Sequence, residues 1–344
     1  MKATIRDLGS EAELEKRLSE PTAEVVDVMR RLDGDILLLG VAGKMGPTLA
    51  RMAKRASDAA AVHRRVIGVA RFSAGGQDEL EAFGIETVRC DLLDEAQVAK
   101  LPDAANVIFM TGMKFGASGN SSLTWAMNDY VPMLLCRRFR TSRIVSFSTG
   151  NVYGWSAPSS GGSRESDRLE PVGEYAMSCV GRERLLEHFS RTWSIPMAIL
   201  RLNYACDLRY GVLVDIATRI WQGEPVDVSM GYFNTIWQGD ANAMTLRAFD
   251  FLQSPPQVLN MTGPETLAIR EVALQLGELL GKSVAFTGSE GPTALLNNAH
   301  KGYEMWGAPR MSTHELIEAV AGWTRGGGRL LGKPTHFEAR DGRF

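Results

Sequence analysis

The feature that most constrains this chain is a regular alternation of short apolar segments with segments of helical periodicity. The apolar segments are residues 36–39, 66–70, 86–89, 106–110, 143–147 and 197–201. Helical patterns fit between them, most clearly at 47–57, 123–139 and 173–190. Strands that alternate with helices form parallel sheets covered on both faces. The sequence therefore predicts a doubly wound α/β domain.

A glycine-rich turn follows the first predicted strand. Gly40, Gly43 and Gly46 lie in the segment GVAGKMGP, which leads into the helix at 47–57. Glycines let the backbone turn sharply and approach a pyrophosphate, whose charge is met by the helix N-terminus. A strand before the turn, a helix after it and a second strand about 20 residues later are typical of a dinucleotide site. The pattern predicts a Rossmann-type fold in which Lys44 and Met45 join the three glycines in binding a dinucleotide; the alternative is that the glycines serve packing alone.

The predicted elements divide the chain into four parts. A helical extension covers 1–33, and the Rossmann domain covers 34–205. Looser helical patterns at 212–221, 241–251 and 269–280 predict a smaller α+β substrate lobe at 206–330, interleaved with the last strands of the sheet. The Gly-rich and charged end, 331–344, is predicted to be a surface tail.

Composition excludes several classes of partner. The 344 residues hold 38 Lys and Arg against 40 Asp and Glu, without a basic block, so nucleic acid is not an expected partner. The longest apolar run is far shorter than the roughly 20 residues that span a bilayer, and the charged N-terminal segment is unlike a secretory signal. We expect no membrane partner and a cytoplasmic location. The four cysteines and five histidines lack the spacing of metal ligands, so no metal site and no disulfide framework are expected.

The end of the second predicted strand bears on cofactor choice. A carboxylate there accepts the ribose 2′-hydroxyl of NAD, whereas a cation accommodates the 2′-phosphate of NADP. The segment Val69-Ala70-Arg71 has no carboxylate. Arg71, with Ser73 and Lys44, therefore favours NADP over NAD; the alternative is a solvated surface arginine.

Further motifs follow the glycine turn in a fixed order. They are Asp91-Leu92, the segment Ser146–Gly154, Tyr175, Arg201-Leu-Asn203, Gln238-Gly-Asp240 and Asn260–Gly263. Over residues 34–323 this series resembles the extended short-chain dehydrogenase/reductase family, in its NAD-dependent epimerase and dehydratase branch. The resemblance implies that Asp91 meets the adenine, and the predicted cofactor-binding set further includes Leu92, Thr111, Gly112, Cys179 and Asn203.

The catalytic motif of that family is incomplete here. The resemblance places Thr149 at its Ser/Thr position and Tyr175 at its tyrosine, but Cys179 occupies the position of the lysine four residues later. A tyrosine titrates near 10, so holding it as phenolate at neutral pH needs about 4 kcal/mol of differential stabilisation. A neutral thiol supplies none of this.

Three hypotheses follow. Another cation replaces the lysine, and of Lys114 and Arg182 we favour Lys114, since it follows the fourth strand. Alternatively, Tyr175 acts as a neutral general acid. In the third hypothesis the site is redox-silent. Cys179 as a nucleophile is disfavoured, because no histidine is near it in sequence and a cysteine inside a helix is commonly a small buried apolar residue.

The predicted substrate side combines amides, aromatic rings and a cation, a mixture that suits a hydroxyl-rich ligand. Its members are Asn151, Tyr204, Arg209, Asn234 and Trp237. Asp240 is instead predicted to cap a helix that begins at Ala241. Because the arginines of the second lobe are not clustered, a sugar, a sugar acid and a sugar nucleotide all remain open as substrates.

Together these features predict an enzyme, an NAD(P)-dependent oxidoreductase or epimerase that acts on a carbohydrate-like alcohol or ketone. The alternative is a redox-silent protein of the same fold that binds a cofactor or ligand. The resemblance further implies a homodimer built from the helices that follow the fourth and fifth strands.

Overall fold

A computed structural model describes residues 9–114 and 119–342. Residues 1–8 of the predicted extension, Phe115 and Gly116 of the loop after the fourth strand, and the last two residues of the predicted tail lie outside the described residues. The helices are α1 (Glu11–Leu18), α2 (Ala23–Arg31), α3 (Gly46–Ala59), α4 (Gln77–Ala82), α5 (Glu95–Ala99), α6 (Ser121–Trp125), α7 (Val131–Arg138), α8 (Gly173–Trp193), α9 (Val212–Gln222), α10 (Gln238–Arg247), α11 (Ile269–Leu280), α12 (His300–Trp306) and α13 (Thr313–Arg325).

The strands are short, as parallel strands that are linked by helices commonly are. They are β1 (Ile36–Leu39), β2 (Val66–Ala70), β3 (Glu86–Arg89), β4 (Asn106–Phe109), β5 (Arg143–Thr149), β6 (Met197–Leu202), β7 (Ala205–Cys206), β8 (Val226–Asp227), β9 (Tyr232–Phe233), β10 (Ile236–Trp237), β11 (Gln257–Met261), β12 (Leu267–Ala268) and β13 (Phe286–Thr287). The main sheet has the order β11-β6-β5-β4-β1-β2-β3, and all its pairings are parallel. The prediction of a doubly wound α/β sheet is confirmed.

Both faces of the sheet are buried, as the sequence of β1 illustrates. Ile36 and Leu38 belong to one apolar core, under α2, α3 and α10, while Leu37 and Leu39 belong to the other, under α7 and α8. Side chains alternate between the faces of a strand, so a strand of four apolar residues has no face for water. The smaller lobe has its own core around α9, α11 and α13.

The strand order reverses between β1 and β4, which are neighbours in the sheet although β2 and β3 come between them in sequence. Ligands of open α/β sheets bind outside the carboxyl ends of the strands at such a switch point. The turn after β1 and the loop after β4 therefore face one crevice.

The two ends of the chain are more deeply packed than expected. Leu14 and Leu18 of α1 are fully buried in the core of the smaller lobe. In the predicted surface tail residues 332–334 are exposed, but Thr335 and Phe337 are each only 1% exposed. The tail packs inward because the apolar ring of Phe337 joins the core of the smaller lobe.

Candidate functional site

The glycine turn after β1 depends on glycine at two positions. Gly40 has a φ of +90°, and a Cβ there would lie 2.6 Å from the Thr111 hydroxyl oxygen. A Cβ on Gly46 would lie 2.0 Å from the Val41 carbonyl oxygen, so helix α3 can start this close to β1 only with glycine. The turn thereby brings backbone and helix N-terminus to the switch point.

A cavity of about 680 Å³ opens at this point, between the sheet and the smaller lobe. Its described lining includes Gly40, Gly43, Lys44, Met45, Thr111, Gly112, Lys114, Thr149, Asn151, Tyr175, Arg182, Asn203, Tyr204, Tyr210 and Gln238. The tail contributes residues 332–335. All three predicted catalytic residues, Tyr175, Thr149 and Lys114, thus line one cavity.

Thr149 and Tyr175 are in direct contact. The Thr149 hydroxyl hydrogen-bonds the Tyr175 phenol, and it also donates to the Asn151 side chain at 2.9 Å. Burial, followed by the neighbouring Cys179 thiol, raises the pKa of Tyr175 well above its ordinary value, although Arg182 and Thr149 act in the opposite direction. The phenol is therefore protonated at neutral pH and can donate.

Cys179 is fully buried, and burial raises the pKa of its thiol to about 11. It packs with Val152 and Tyr153 in a small apolar cluster that also contacts Tyr175. A neutral buried thiol is a poor nucleophile. It is not among the residues that line the cavity, so its predicted contact with the cofactor stays a prediction.

Arg182 reaches the cavity from two helical turns beyond Tyr175. Its guanidinium donates to the carbonyl oxygens of Phe147, at 3.0 Å, and Asn128, at 3.3 Å, and also to the Asn128 side chain. Side chains on a helix lean toward its N-terminus, so an arginine at i+7 can cover the distance to the tyrosine. The absence of a side chain at Gly112 leaves space for the guanidinium of Arg182, because a Cβ there would lie 2.7 Å from Arg182 Nη2.

Asn128 is a residue that sequence reasoning missed. It is fully buried in a short π-helical segment, 126–130, between α6 and α7. Its amide accepts from the Met113 N–H at 3.1 Å and donates to the Ser178 hydroxyl at 2.8 Å. Asn128 thus ties the loop after β4 to α8, and π segments are frequent at functional sites. A helical periodicity gives no signal for such a segment.

Two lysines lie over aromatic rings in the cavity. Lys44 Nζ is 3.4 Å from the ring centroid of Tyr210, and Lys114 Nζ is 5.8 Å from that of Tyr204. Burial, and then the charges of Lys114 and Lys333, lower the pKa of Lys44 to about 7. Burial likewise lowers the pKa of Lys114 to about 8. A bound anion would relieve this mutual repulsion.

A buried polar chain lies directly behind the site. Ser148 donates to Glu183, which is paired with Arg201 at 2.6 Å, and Arg201 donates to the Tyr153 hydroxyl at 2.6 Å. Tyr153 in turn donates to Asn260 at 2.8 Å. The chain joins β5, α8, β6 and β11, so it fixes the strand ends that carry the site.

Several predicted site residues lie outside the cavity lining. They are Gly46, Arg71, Asp91, Leu92 and Cys179 of the cofactor set, and Arg209, Asn234 and Trp237 of the substrate set. Arg71 is exposed at the end of β2, where its carbonyl accepts from Arg89 at 2.9 Å. Lys44, grouped with Arg71 in the prediction of NADP, lies instead over Tyr210.

The three predicted substrate-binding residues outside the cavity are buried and contact other residues of the fold. Arg209 is paired with Asp207 at 2.8 Å and Glu15 at 2.6 Å, so its charge is already compensated. Asn234 accepts from Asn203 at 2.8 Å, and Trp237 is 4% exposed in the core of the smaller lobe. Each is buried against its own chain, and its predicted contact with substrate stays a prediction.

Asp240 has a structural role, but a different one from the predicted helix cap. Helix α10 begins at Gln238, and the Asp240 carboxylate accepts from Arg310, through backbone and side chain, and from the Met311 N–H. It therefore holds the segment before α13.

Among the described residues, no group of His, Cys, Asp and Glu is arranged to hold a metal ion. In the same ranges, no helix combines the length and apolarity that a membrane crossing needs.

The fold and the turn define a Rossmann-type α/β protein with its ligand crevice at the β1/β4 switch point. The sequence profile of the NAD dependent epimerase/dehydratase family matches residues 36–206. The part of the chain that carries the glycine turn and most of the parallel sheet, residues 36–206, belongs to this family. A search of the curated proteins finds no match.

The match to solved structures of similar fold covers nearly the whole of each solved chain. A variant of the UDP-glucuronic acid 4-epimerase of Bacillus cereus, with NAD, has a TM-score of 0.71 and 18% identity over 84% of this chain and 98% of that chain. The UDP-glucose 4-epimerase of Thermotoga maritima has a TM-score of 0.70 and 17% identity, with 85% and 98% covered. The dTDP-glucose 4,6-dehydratase of Streptomyces venezuelae, with NAD, has a TM-score of 0.71 and 19% identity, with 86% and 98% covered. Identities this low show a shared fold.

Proposed function

We propose that this protein is an NAD(P)-dependent oxidoreductase or epimerase that acts on an alcohol or ketone of a carbohydrate-like substrate. The observation that carries the proposal is the hydrogen-bonded pair of Thr149 and Tyr175 in the cavity beneath the glycine turn. Family membership supports it, since the similar structures named above are sugar-nucleotide epimerases and dehydratases.

The cavity fits a dinucleotide in two respects. The Thr111 hydroxyl is buried without a hydrogen-bond partner among the described atoms, directly opposite Gly40. Lys44, in the turn itself, has its positive charge disfavoured by burial and by other cations, so a diphosphate would stabilise it. In this proposal Gly40, Gly43, Lys44, Met45, Thr111, Gly112 and Asn203 hold the cofactor. The domain at 34–205 then binds cofactor, and the lobe at 206–330 faces the substrate.

NADP remains our preferred cofactor. Arg71 is exposed where the 2′-phosphate would lie, and Arg89 of the neighbouring strand is hydrogen-bonded to its backbone. Two arginines beside a carboxyl strand end favour a phosphate over a hydroxyl. Equilibrium titration with both cofactors tests the preference: Arg71→Ala should weaken NADP and leave NAD unchanged. Tighter binding of NAD by the unaltered protein would refute it, and NAD is the cofactor in the similar structures.

A bound nicotinamide supplies a hydride acceptor or donor. The chain's own residues handle the proton: the Tyr175 phenol donates to the substrate oxygen, and the Thr149 hydroxyl hydrogen-bonds the same oxygen. Arg182 and Lys114 supply the positive charge that the missing lysine would otherwise give. We now propose Arg182 beside Lys114, because Arg182 is held rigidly by three hydrogen bonds and its charge acts on the Tyr175 phenol.

Matched variants test the assignment. Tyr175→Phe should lower kcat by about 10²–10⁴-fold with an unchanged cofactor Kd, because only the proton donor is lost. Tyr130→Phe, which removes an exposed hydroxyl, is the control, and Cys179→Ala should keep most of the activity. Loss of activity in Cys179→Ala but not in Tyr175→Phe would reverse the assignment. Cofactor binding without turnover of any sugar, sugar acid or sugar nucleotide would favour the redox-silent alternative.

A further inference from the structure

The cavity has an excess of positive charge. Its described lining includes Lys44, Lys114, Arg182 and Lys333, and none of the described lining residues is Asp or Glu. A nearby carboxylate, Asp215, accepts both bonds of Thr335. Cations in a partly enclosed cleft raise the local concentration of anions.

A cofactor diphosphate accounts for only part of this charge. Lys44 belongs to the glycine turn and would meet the diphosphate, and Arg182 is fixed behind Tyr175. Lys333 lies on the C-terminal tail, which packs against the smaller lobe through Phe337, and its charge reaches Lys44. Within residues 9–114 and 119–342, no hydrogen bond or ion pair holds the Lys333 ammonium. The tail therefore adds to the cavity a cation that the fold leaves for a ligand.

Four arginines of the smaller lobe are already engaged within the fold, and the other three, Arg310, Arg325 and Arg329, also lie outside the cavity lining. Arg209 is paired with Asp207 and Glu15, Arg219 with Glu338 at 3.1 Å, Arg270 with Glu290 at 2.6 Å, and Arg247 donates to the Trp306 carbonyl. None of the four lines the cavity. Diphosphates are commonly bound by arginine forks. The C-terminal tail offers the substrate one lysine, Lys333, instead.

The tail holds that lysine in place by an anchor on each side. Before it, the Leu331 N–H donates to the Arg209 carbonyl at 3.0 Å. After it, the Thr335 N–H and hydroxyl donate to Asp215 at 2.7 and 2.6 Å, and Phe337 is buried in the lobe. Residues 332–334 thus form a fixed strap along the rim of the cavity.

We propose that Lys333 on this strap binds a single anionic group, a carboxylate or a phosphate, on a small polyhydroxylated substrate. The substrate is then a sugar acid or a sugar phosphate, in preference to a neutral sugar or a sugar nucleotide. This inference rests on the proposed function, because it assigns the substrate class of the same site.

The test titrates the cofactor-loaded protein with D-glucuronate, D-glucose 6-phosphate, D-glucose, UDP-glucose and inorganic phosphate. Glucuronate or glucose phosphate should bind about tenfold tighter than glucose, and Lys333→Met should abolish that advantage. Lys333→Arg should restore it, and Lys100→Met, an exposed lysine on another element, should leave it unchanged. The two charged sugars distinguish carboxylate from phosphate.

Several results would overturn the inference. They are an unchanged advantage in Lys333→Met, equal binding of glucose, tighter binding of UDP-glucose, or no binding of any anion by the loaded protein. The cofactor Kd separates the two proposals. If neither NAD nor NADP binds, the proposed function fails and the inference falls with it. If a cofactor binds and neutral sugars turn over independently of Lys333, the inference alone fails.

Discussion

At the scale of single residues, the substitution of a thiol for the usual lysine changes the expected state of Tyr175. Burial and the Cys179 thiol hold the phenol in its protonated form, and Arg182 offsets this only in part. A protonated phenol is ready to donate to a carbonyl oxygen, whereas oxidation of an alcohol first needs the phenolate. The site is therefore better prepared for reduction than for oxidation.

The pH dependence should separate catalysis from cofactor binding. The pKa of Lys44 is about 7 in the free protein, and a diphosphate favours its charged form. Affinity for the cofactor should thus be highest below about pH 7 and fall by roughly tenfold between about pH 6 and pH 8.5. The kcat for reduction should stay flat up to about pH 7, because the pKa of Tyr175 lies far above it, and should fall only near pH 8, where Lys114 loses its charge.

Titration calorimetry in two buffers of different ionisation enthalpy checks this, since proton uptake should accompany binding near neutral pH. Lys44→Met should remove the uptake. Lys54→Met, on helix α3 directly after the turn and paired with Asp58, should retain it. Uptake that persists in Lys44→Met would show that another group titrates.

At the scale of elements, the join between β1 and α3 has no space for a side chain. Gly46→Ala would put a Cβ 2.0 Å from the Val41 carbonyl oxygen, and the backbone on both sides would have to shift. We expect a loss of about 1–3 kcal/mol in the free energy of unfolding. Dinucleotide binding should weaken as well. Chemical denaturation measures the first, with Gly119→Ala as the control, because no atom of the described residues is found within 4 Å of a Cβ there. Equal stability of the two variants would contradict the tight join.

Helix α8 is joined to β6 by a buried ion pair. Glu183 and Arg201 have side chains only 5% and 6% exposed, and the pair continues to Ser148 and Tyr153. Breaking a buried pair leaves a charge without compensation, so Glu183→Gln should cost about 3–5 kcal/mol. Glu187→Gln is the matched control, one turn further along α8, where the glutamate pairs with Arg191 at the surface. A similar melting temperature for both variants would show that Arg201 finds another partner.

At the scale of the whole molecule, the site depends on parts of the chain that are far apart in sequence. Glu15 of α1 pairs with Arg51 of α3 at 2.8 Å and with Arg209 of the smaller lobe at 2.6 Å. The extension therefore connects the helix of the glycine turn to the lobe. The C-terminal strap lines the same cavity from the other side.

Helices α6 and α8 present an exposed apolar surface formed by Leu123, Trp125 and Met177, which are 36%, 38% and 45% exposed. We predict that this surface packs against the same surface of a second copy in a homodimer, because a group of exposed large apolar residues commonly marks a protein–protein interface. Analytical ultracentrifugation should show a dimer, and Met177→Glu should shift it to monomer. Leu274→Glu, at an exposed apolar residue of α11, is the control. A monomer for the unaltered protein would refute the prediction.

The sequence by itself predicted six of the seven strands of the main sheet and the glycine turn, and the family resemblance implied that Thr149 and Tyr175 share a site. The strands and the turn follow from local chemistry: apolar runs that fit a two-sided sheet, and a glycine, Gly40, at a position with positive φ. Strand β11 was not predicted, because its segment Gln257–Met261 contains the polar Gln257 and Asn260 and lies in the less regular half of the chain. Its neighbour β6 supplies the pairing that defines it.

Only the tertiary structure decided which charges face the cavity. Arg182 faces the cavity because Asn128 accepts its hydrogen bond and Gly112 leaves space for it. Arg209 does not face the cavity, because it is paired with Asp207 and Glu15. Lys333 lines the cavity because Phe337 anchors the tail that carries it. A long charged side chain takes its direction from partners distant in sequence, and the balance between pairing and solvation is set where they meet. A local pattern fixes where the backbone turns, but it does not fix which cation stays unpaired.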